Sequence, residues 1–358
     1  MSKLNWKKVI GWGVAALVVI GVVGYNTWKT KQTQAIQQKP NVLVMAHITG
    51  AGAASDALKK ALDGFRKQNP DLSFNWITVD TQAMPSVAVS ALHQKLALQN
   101  VDLIVAFIDA IIDPMLPIAD EKGIPVLGLF CEIQNNPKNF KNIQYFSTKE
   151  SDIFEPMGRF LKQKASKIAV LYTADTYGDS GFKTLKKEYF DNEHKIVFSD
   201  SYALQDFNVR ELVQKTLSYK PDAVAVIGYG AGYENIFRML KQYEFDGLVV
   251  SDTVAARLDT YNRLDGALEG VYMPFAKIVD KEKFNKTNLN SYPDLIVFDA
   301  MTYVNEAFKK GIPFTRDEFQ KMKKYENITT VNFLENGHSN QDVQMGVWKN
   351  GELVPVTE

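Results

Sequence analysis

From residue 41 onward the chain alternates between two hydrophobic patterns. NVLVMAHI (41–48), VDLIVAFI (101–108), IPVLGLF (124–130), KIAVLYT (167–173), DAVAVIGY (222–229) and GLVVS (247–251) are short apolar runs rich in β-branched residues. LSFNWITV (72–79) and KIVFSDSY (195–202) read as further strands. Between the runs, apolar residues recur at helical spacing in ASDALKKALDGFRKQ (54–68), SVAVSALHQKLALQ (86–99), DIFEPMGRFLKQK (152–164), GFKTLKKEYFDN (181–192), VRELVQKTLSYK (209–220) and ENIFRMLKQYEF (234–245). IIDPMLPIADEKG (111–123) reads as a helix started or kinked by its prolines. Strands that are apolar throughout are buried on both faces, and amphipathic helices of 10–15 residues between them imply parallel sheets covered on both sides. Two such series, each large enough for its own sheet, predict an α/β chain with two similar lobes.

The first 40 residues follow a different pattern. After Lys7 and Lys8, VIGWGVAALVVIGVVGYNTW (9–28) carries no charge over 20 residues, about the length that crosses ~30 Å of hydrocarbon as a helix. Trp12, Tyr25 and Trp28 lie near its ends, where amphipathic rings favour the interface. A secretory signal has a shorter apolar core and a small-x-small cleavage site. Val22-Val23-Gly24 is a poor site and Thr33-Gln34-Ala35 lies too far downstream. The pattern favours an uncleaved transmembrane signal anchor over residues 1–28. KTKQTQAIQQKP (29–40) reads as a polar tether, up to ~40 Å long when extended. Lysines flank the span equally, three on each side, so they do not set its orientation.

Composition narrows the picture further. The chain of 358 residues is 46% hydrophobic and 23% charged, with equal numbers of basic and acidic residues. Six lysines and no acids fall in the first 40 residues, which leaves 35 basic against 41 acidic residues in the body. A mildly acidic body argues against nucleic acid as a partner. The single cysteine, Cys131, excludes an intrachain disulfide framework, and it is far from the place a lipoprotein anchor needs. The four histidines, His47, His93, His194 and His338, have no metal-ligand spacing.

Several motifs invite chemistry and fail on context. Gly178-Asp179-Ser180-Gly181 is the sequence that frames the nucleophile of chymotrypsin-like proteases. Here it lies between a parallel strand and a helix, without disulfides, and the second glycine comes one residue too early for the G-x-S-x-G elbow. The simpler reading is a helix start capped by Asp179 or Ser180, with a turn at Gly178. Gly50-x-Gly52 and Gly228-x-Gly230-x-Gly232 lack the third glycine of a dinucleotide fingerprint. Tyr145-x-x-x-Lys149 imitates a dehydrogenase dyad, but IQYFS reads as a strand. No GxxxxGK[ST] occurs, so ATP hydrolysis at a P-loop is excluded. No cofactor, metal or catalytic constellation is expected.

In open parallel sheets, ligands bind beyond the carboxyl ends of the strands. The informative loops are therefore HITGAGAAS, VDTQAMP, FIDAIIDP, FCEIQNN, TADTYGDS, GYGAGYE and SDTVAA.

In order along the chain, ITGAGAASDALKKALDGF, VDTQAMPSVAVSALHQKL, KIAVLYTADTYGDSGFKTLKKEY, PDAVAVIGYGAGYENIFRMLKQYEFDG, ALEGVYMPFA, FDAMTYVNEAFKKG and VNFLENGHSNQDVQMGVWKNGELVPV resemble segments of the type I periplasmic solute-binding proteins. The resemblance is to the leucine/isoleucine/valine-binding branch that serves ABC importers, and it covers about Asn41 to Pro355. It implies two Rossmann-like lobes joined by a three-strand hinge, with 41–148 and 275–327 in lobe 1 and 149–274 and 328–358 in lobe 2. A ligand would bind between the lobes and favour closure by touching both.

The resemblance also implies a ligand set. Tyr177 and Tyr229 match lobe-two aromatic positions that line the pocket of amino-acid binders, and Asp252 matches an acid that takes an α-ammonium. Thr49 and Asp80 lie on the loops after the first two strands. Where the family holds an α-carboxylate with small hydroxyl residues and backbone N–H groups, this chain has Ile108-Asp109-Ala110 and Phe130-Cys131-Glu132. Asp109 would repel a carboxylate, so an amine, an aromatic or heterocyclic molecule or an uncharged metabolite enters beside an amino acid. The plainer alternatives stay open: tyrosines that pack a lobe edge, helix caps at Asp109 and Asp252, and an inert buried Cys131. The expectation is a membrane-anchored, extracytoplasmic binding protein that performs no chemistry and serves an ABC permease. The alternative is a ligand sensor or regulatory interaction protein on the same scaffold.

Overall fold

A computed structural model describes residues 39–49, 53–131, 140, 142–146, 150–203, 206–287, 292–335 and 337–356. The expected membrane span at 9–28 and nearly all of the tether lie outside these residues. Among the described residues no helix is long and apolar enough to cross a membrane.

The first sheet is parallel. Its strands are β1 (Asn41–Ala46), β2 (Asn75–Asp80), β3 (Leu103–Phe107), β4 (Val126–Leu129) and β5 (Ile143–Tyr145), in the order β2-β1-β3-β4-β5. The connecting helices are α1 (Ala53–Gln68), α2 (Pro85–Leu98) and α3 (Asp109–Glu121). Successive strand residues point to opposite faces, so β1 feeds two cores. Val42 and Val44 pack with Leu62 and Phe65 of α1, whereas Leu43 and Met45 pack with Leu92 of α2 and Ile112 of α3. This double burial explains why the strands read as unbroken apolar runs. Pro114 and Pro117 both lie inside α3, which begins two residues earlier than the sequence pattern indicates.

The second lobe repeats the scheme. After α4 (Glu150–Lys164) come β6 (Lys167–Thr173), α5 (Thr176–Tyr189), β7 (Lys195–Tyr202), α6 (Arg210–Ser218), β8 (Ala223–Ile227), α7 (Gly230–Gln242), β9 (Leu248–Ser251), α8 (Leu258–Arg263) and β10 (Tyr272–Ala276). The chain continues through α9 (Lys281–Thr287), α10 (Tyr292–Lys310), α11 (Arg316–Met322), β11 (Lys324–Glu326), β12 (Thr330–Phe333), β13 (Ser339–Gln341), β14 (Val343–Lys349) and β15 (Glu352–Pro355). The second sheet has the order β15-β14-β10-β9-β8-β6-β7, with β14 and β15 added antiparallel. Its parallel part, read from β7, has the same strand order as the first sheet.

The return segments differ from the expected division at 274/275 and 327/328. β10 stays in the second sheet as far as Ala276. Tyr325, Val331 and Phe333 pack with α10 in the first core, and the Phe333 ring lies 5.9 Å from that of Phe146. The apolar side of β12 therefore draws residues 324–341, which form their own small antiparallel sheet, to the first lobe. The later crossings fall after Ala276 and between Gln341 and Val343. There Lys277 N–H donates to the Asp342 carbonyl at 2.8 Å. Val279 N–H donates to the Ile328 carbonyl at 2.9 Å. Asp299 of α10, fully buried, fastens the neighbouring loop by accepting from Asn327 Nδ2 (2.9 Å), Ile328 N (3.2 Å), Thr329 N (2.8 Å) and Thr329 Oγ1 (2.6 Å). A buried carboxylate is tolerated when several donors satisfy it.

Candidate functional site

In a sheet of this order, the crevice opens where successive crossovers leave toward opposite faces. That point lies between β1 and β3 in the first sheet and between β6 and β8 in the second. The loops beyond these strand ends carry most of the residues singled out from the sequence.

In the second lobe, the loop after β6 is set by Asp175. Its backbone is extended, and its Oδ1 accepts from Gly178 N at 2.8 Å, capping α5. Thr173 Oγ1 donates to the same oxygen at 2.9 Å, and the Tyr229 hydroxyl donates to Oδ2 at 2.8 Å. The cap is thus Asp175, not Asp179 or Ser180, and α5 begins at Thr176, so the GDSG residues are helical. Gly178 does not make a turn. It is required by close approach, because a Cβ there would collide with the Thr173 carbonyl oxygen.

Asp252, at the end of β9, is fully buried. Its Oδ2 accepts from Gly228 N (2.7 Å) and the Tyr177 hydroxyl (3.2 Å), and its Oδ1 from Val254 N (3.0 Å) and the Tyr233 hydroxyl (3.3 Å). Asp252 therefore caps the 3-10 turn Thr253–Ala256 and also joins both tyrosines to the turn after β8. Burial pushes its carboxyl up to about 7 against the opposing pull of those bonds. The Tyr177 and Tyr229 rings lie 6.1 Å apart, tilted by 58°. Tyr229 is 39% exposed, and burial together with the Asp175 bond holds its phenol above the ordinary range.

In the first lobe, Thr49 and Asp80 meet. Asp80 Oδ1 accepts from Ile48 N (3.2 Å), Thr49 N (3.3 Å) and Gln82 N (2.9 Å), and the Thr49 hydroxyl donates to Oδ2. Partial burial opposes the charged form of Asp80, but these bonds prevail and hold its carboxyl below the usual range. His47 is buried beneath the loop. Burial lowers its imidazole, opposed by the charge of Asp80.

Asp109 is not the cap of α3. That place belongs to Ile108, at φ +64° and ψ 142°, and Asp109 is the first helical residue. A carboxylate in the first turn is favoured by the helix dipole. Ala110 is exposed beside it. Cys131 is buried in the apolar cluster of β4 and α3, close to Gly128.

Tyr177, Tyr229 and Asp252 thus form one cluster, Thr49 and Asp80 a second, and Asp109, Ala110 and Cys131 lie beyond β3 and β4. The sequence reading missed Asp175 and Tyr233, and it noted Gly228 only within a glycine motif. Asp175 carried a signal as an acid just before a helix, and Gly228 as a glycine at a strand end. Among the described residues, no group of three or more His, Cys, Asp or Glu is placed to hold a metal ion.

Residues 50–351 match the family described as periplasmic binding protein. None of the curated proteins matches the chain. Among solved structures, a leucine-binding protein of Thermotoga maritima is 17% identical over 89% of this chain and 98% of its own, with a TM-score of 0.73. The branched-chain amino acid transporter substrate-binding protein of Streptococcus pneumoniae, solved with isoleucine, is 14% identical over 88% and 98%, with a TM-score of 0.78. A solute-binding protein of an ABC transporter from Rhodopseudomonas palustris, solved with 3,4-dihydroxybenzoic acid, is 17% identical over 89% and 96%, with a TM-score of 0.76. At these identities the likeness is one of fold.

Proposed function

The chain belongs to the periplasmic binding protein family, and from that premise we propose that it captures a small molecule between its lobes and delivers it to an ABC importer. The observation that carries this reading is the cluster at the β6/β8 switch point. There Tyr177 and Tyr229 are oriented by bonds to Asp252 and Asp175 while the Tyr229 ring reaches solvent. A recognition surface whose side chains are already fixed loses little entropy on binding.

Closure follows from the same geometry. A ligand seated on this cluster that also touches the loops after β1 and β3 has more contacts in the closed state, and that difference drives the lobes together. The three crossings supply the hinge. The proposal places the body outside the cytoplasm, held by the apolar segment at 9–28 and the tether that follows.

The test is native mass spectrometry of the purified full chain in detergent, followed by a thermal-shift panel of amino acids, amines, nucleosides and aromatic acids. A retained small mass is expected, or a ligand whose stabilisation is lost in Tyr177→Ala and Tyr229→Ala. No retained mass and no shift would move the reading to a membrane-anchored sensor or regulator on the same scaffold.

A further inference from the structure

The turns at both switch points share a feature that bears on ligand charge. Backbone N–H groups at strand ends are the usual donors for an anionic ligand. Here the protein's own carboxylates take many of them. Asp80 takes the N–H groups of Ile48, Thr49 and Gln82, together with the Thr49 hydroxyl. Asp175 takes Gly178 N and the Thr173 hydroxyl, and Asp252 takes Gly228 N and Val254 N.

The tyrosines add a second constraint. A phenol has one proton to give. Tyr177 donates its proton to Asp252 and Tyr229 donates its own to Asp175. Toward a ligand, the Tyr229 oxygen can then only accept. Among the described residues of these loops, positive charge is scarce as well. The one Lys or Arg among them is Arg257, which is buried and held by Asp259 through two bonds of 3.0 Å. His47 is kept toward its neutral form by burial.

Two rim helices, α3 and α7, begin without a side-chain cap. In α3 the first turn contains Asp109. In α7 the preceding residue, Tyr229, is tied to Asp175. An anion arriving at either helix would meet a carboxylate already there.

We propose that the ligand is a small amine, or a similar organic cation, with an apolar or aromatic body and no free carboxylate. This rests on the solute-binding reading and specifies its ligand class. The ammonium donates to the Tyr229 phenol oxygen and is attracted by the rim carboxylates, while the part-exposed ring of Tyr229 provides a face for cation–π contact.

Calorimetric titration of the full chain in detergent with matched compounds tests this. Tyramine, tyrosine and 3-(4-hydroxyphenyl)propionate form one set, and isoamylamine, leucine and 4-methylpentanoate the other. The amine is expected to bind at least tenfold more tightly than the amino acid of its set. Equal or tighter binding of an amino acid or acid would overturn the ligand class while leaving the solute-binding reading in place. Silence from all six at millimolar concentration would count against both. A second arm uses Tyr229→Phe, which keeps the ring and removes the acceptor oxygen. Amine affinity is expected to fall about tenfold with little change in melting temperature, and an unchanged affinity would refute the acceptor role.

Discussion

Beyond β2, β3 and β4, the first sheet turns through Gln82, Ala83, Ile108 and Phe130, which hold φ values of +52°, +56°, +64° and +52°. Beyond β8, the second sheet turns through Gly228 at +133° and Gly230 at +87°. Residues with a Cβ resist this region, by about 1–2 kcal/mol each, whereas glycine enters it freely. The polar groups differ in the same sense. The second rim is held by Asp252, wholly buried, while the first is held by Asp80, which is only partly buried. One rim is thus fixed by satisfied interior bonds, and the other stores backbone strain in loops that water reaches. The contrast teaches that two lobes of the same strand order shape their rims by different means. The turns of the second lobe are set by glycine and by satisfied buried bonds, and those of the first by residues held at positive φ.

The largest test of the contrast removes each carboxylate. At pH 5, where Asp252 is mostly protonated, Asp252→Ala is expected to cost about 3 kcal/mol in urea denaturation, because it strands buried donors. Asp80→Ala is expected to cost about 1 kcal/mol, since water can replace the lost partner. Equal costs would erase the distinction between the rims.

The pH dependence of that difference sharpens it. The folded-state value of Asp252, about 7, lies above that of an ordinary aspartate, so between those values the native chain holds a proton that the unfolded chain has lost. Stability from this group is greatest at the acid end, declines as pH rises toward 7 and is flat above. The advantage of the native protein over Asp252→Ala should therefore shrink between pH 5 and pH 8, by on the order of 2 kcal/mol. An advantage that grows with pH would show that the carboxylate is charged throughout.

The smallest pair addresses the turns. Gly228→Ala places a Cβ against Thr173 and the Tyr202 hydroxyl at a φ that alanine resists, and a loss of about 2 kcal/mol is expected. Gln82→Gly, in an exposed turn at +52°, is expected to change stability by less than about 1 kcal/mol and to raise it if strain outweighs the added freedom of the unfolded chain. Melting curves of both variants decide. A destabilising Gln82→Gly would mean that the first rim stores no strain there.

Much of the architecture was legible in the chain. KIAVLYT and KIVFSDSY are the strands β6 and β7 to the residue, because unbroken or alternating β-branched runs have one good way to be buried. Tyr145 stands on strand β5, as IQYFS indicates. The start of α5 was misplaced. Thr176 to Gly181 looks like a loop by composition, yet Asp175 caps it and Gly178 lets it pass close to Thr173.

Local pattern by itself determined the alternation of strand and helix, the two-lobed α/β class, and which loops lie at the carboxyl ends of strands. Each of these follows from the periodicity of neighbouring side chains. Only the tertiary structure decided that Tyr177 meets Asp252 across 75 residues, that Thr49 meets Asp80 across 31, and that β12 belongs with the first core. Those pairings depend on strand order and on which face each residue presents, and a linear pattern does not encode distances between segments that meet only when the sheets form.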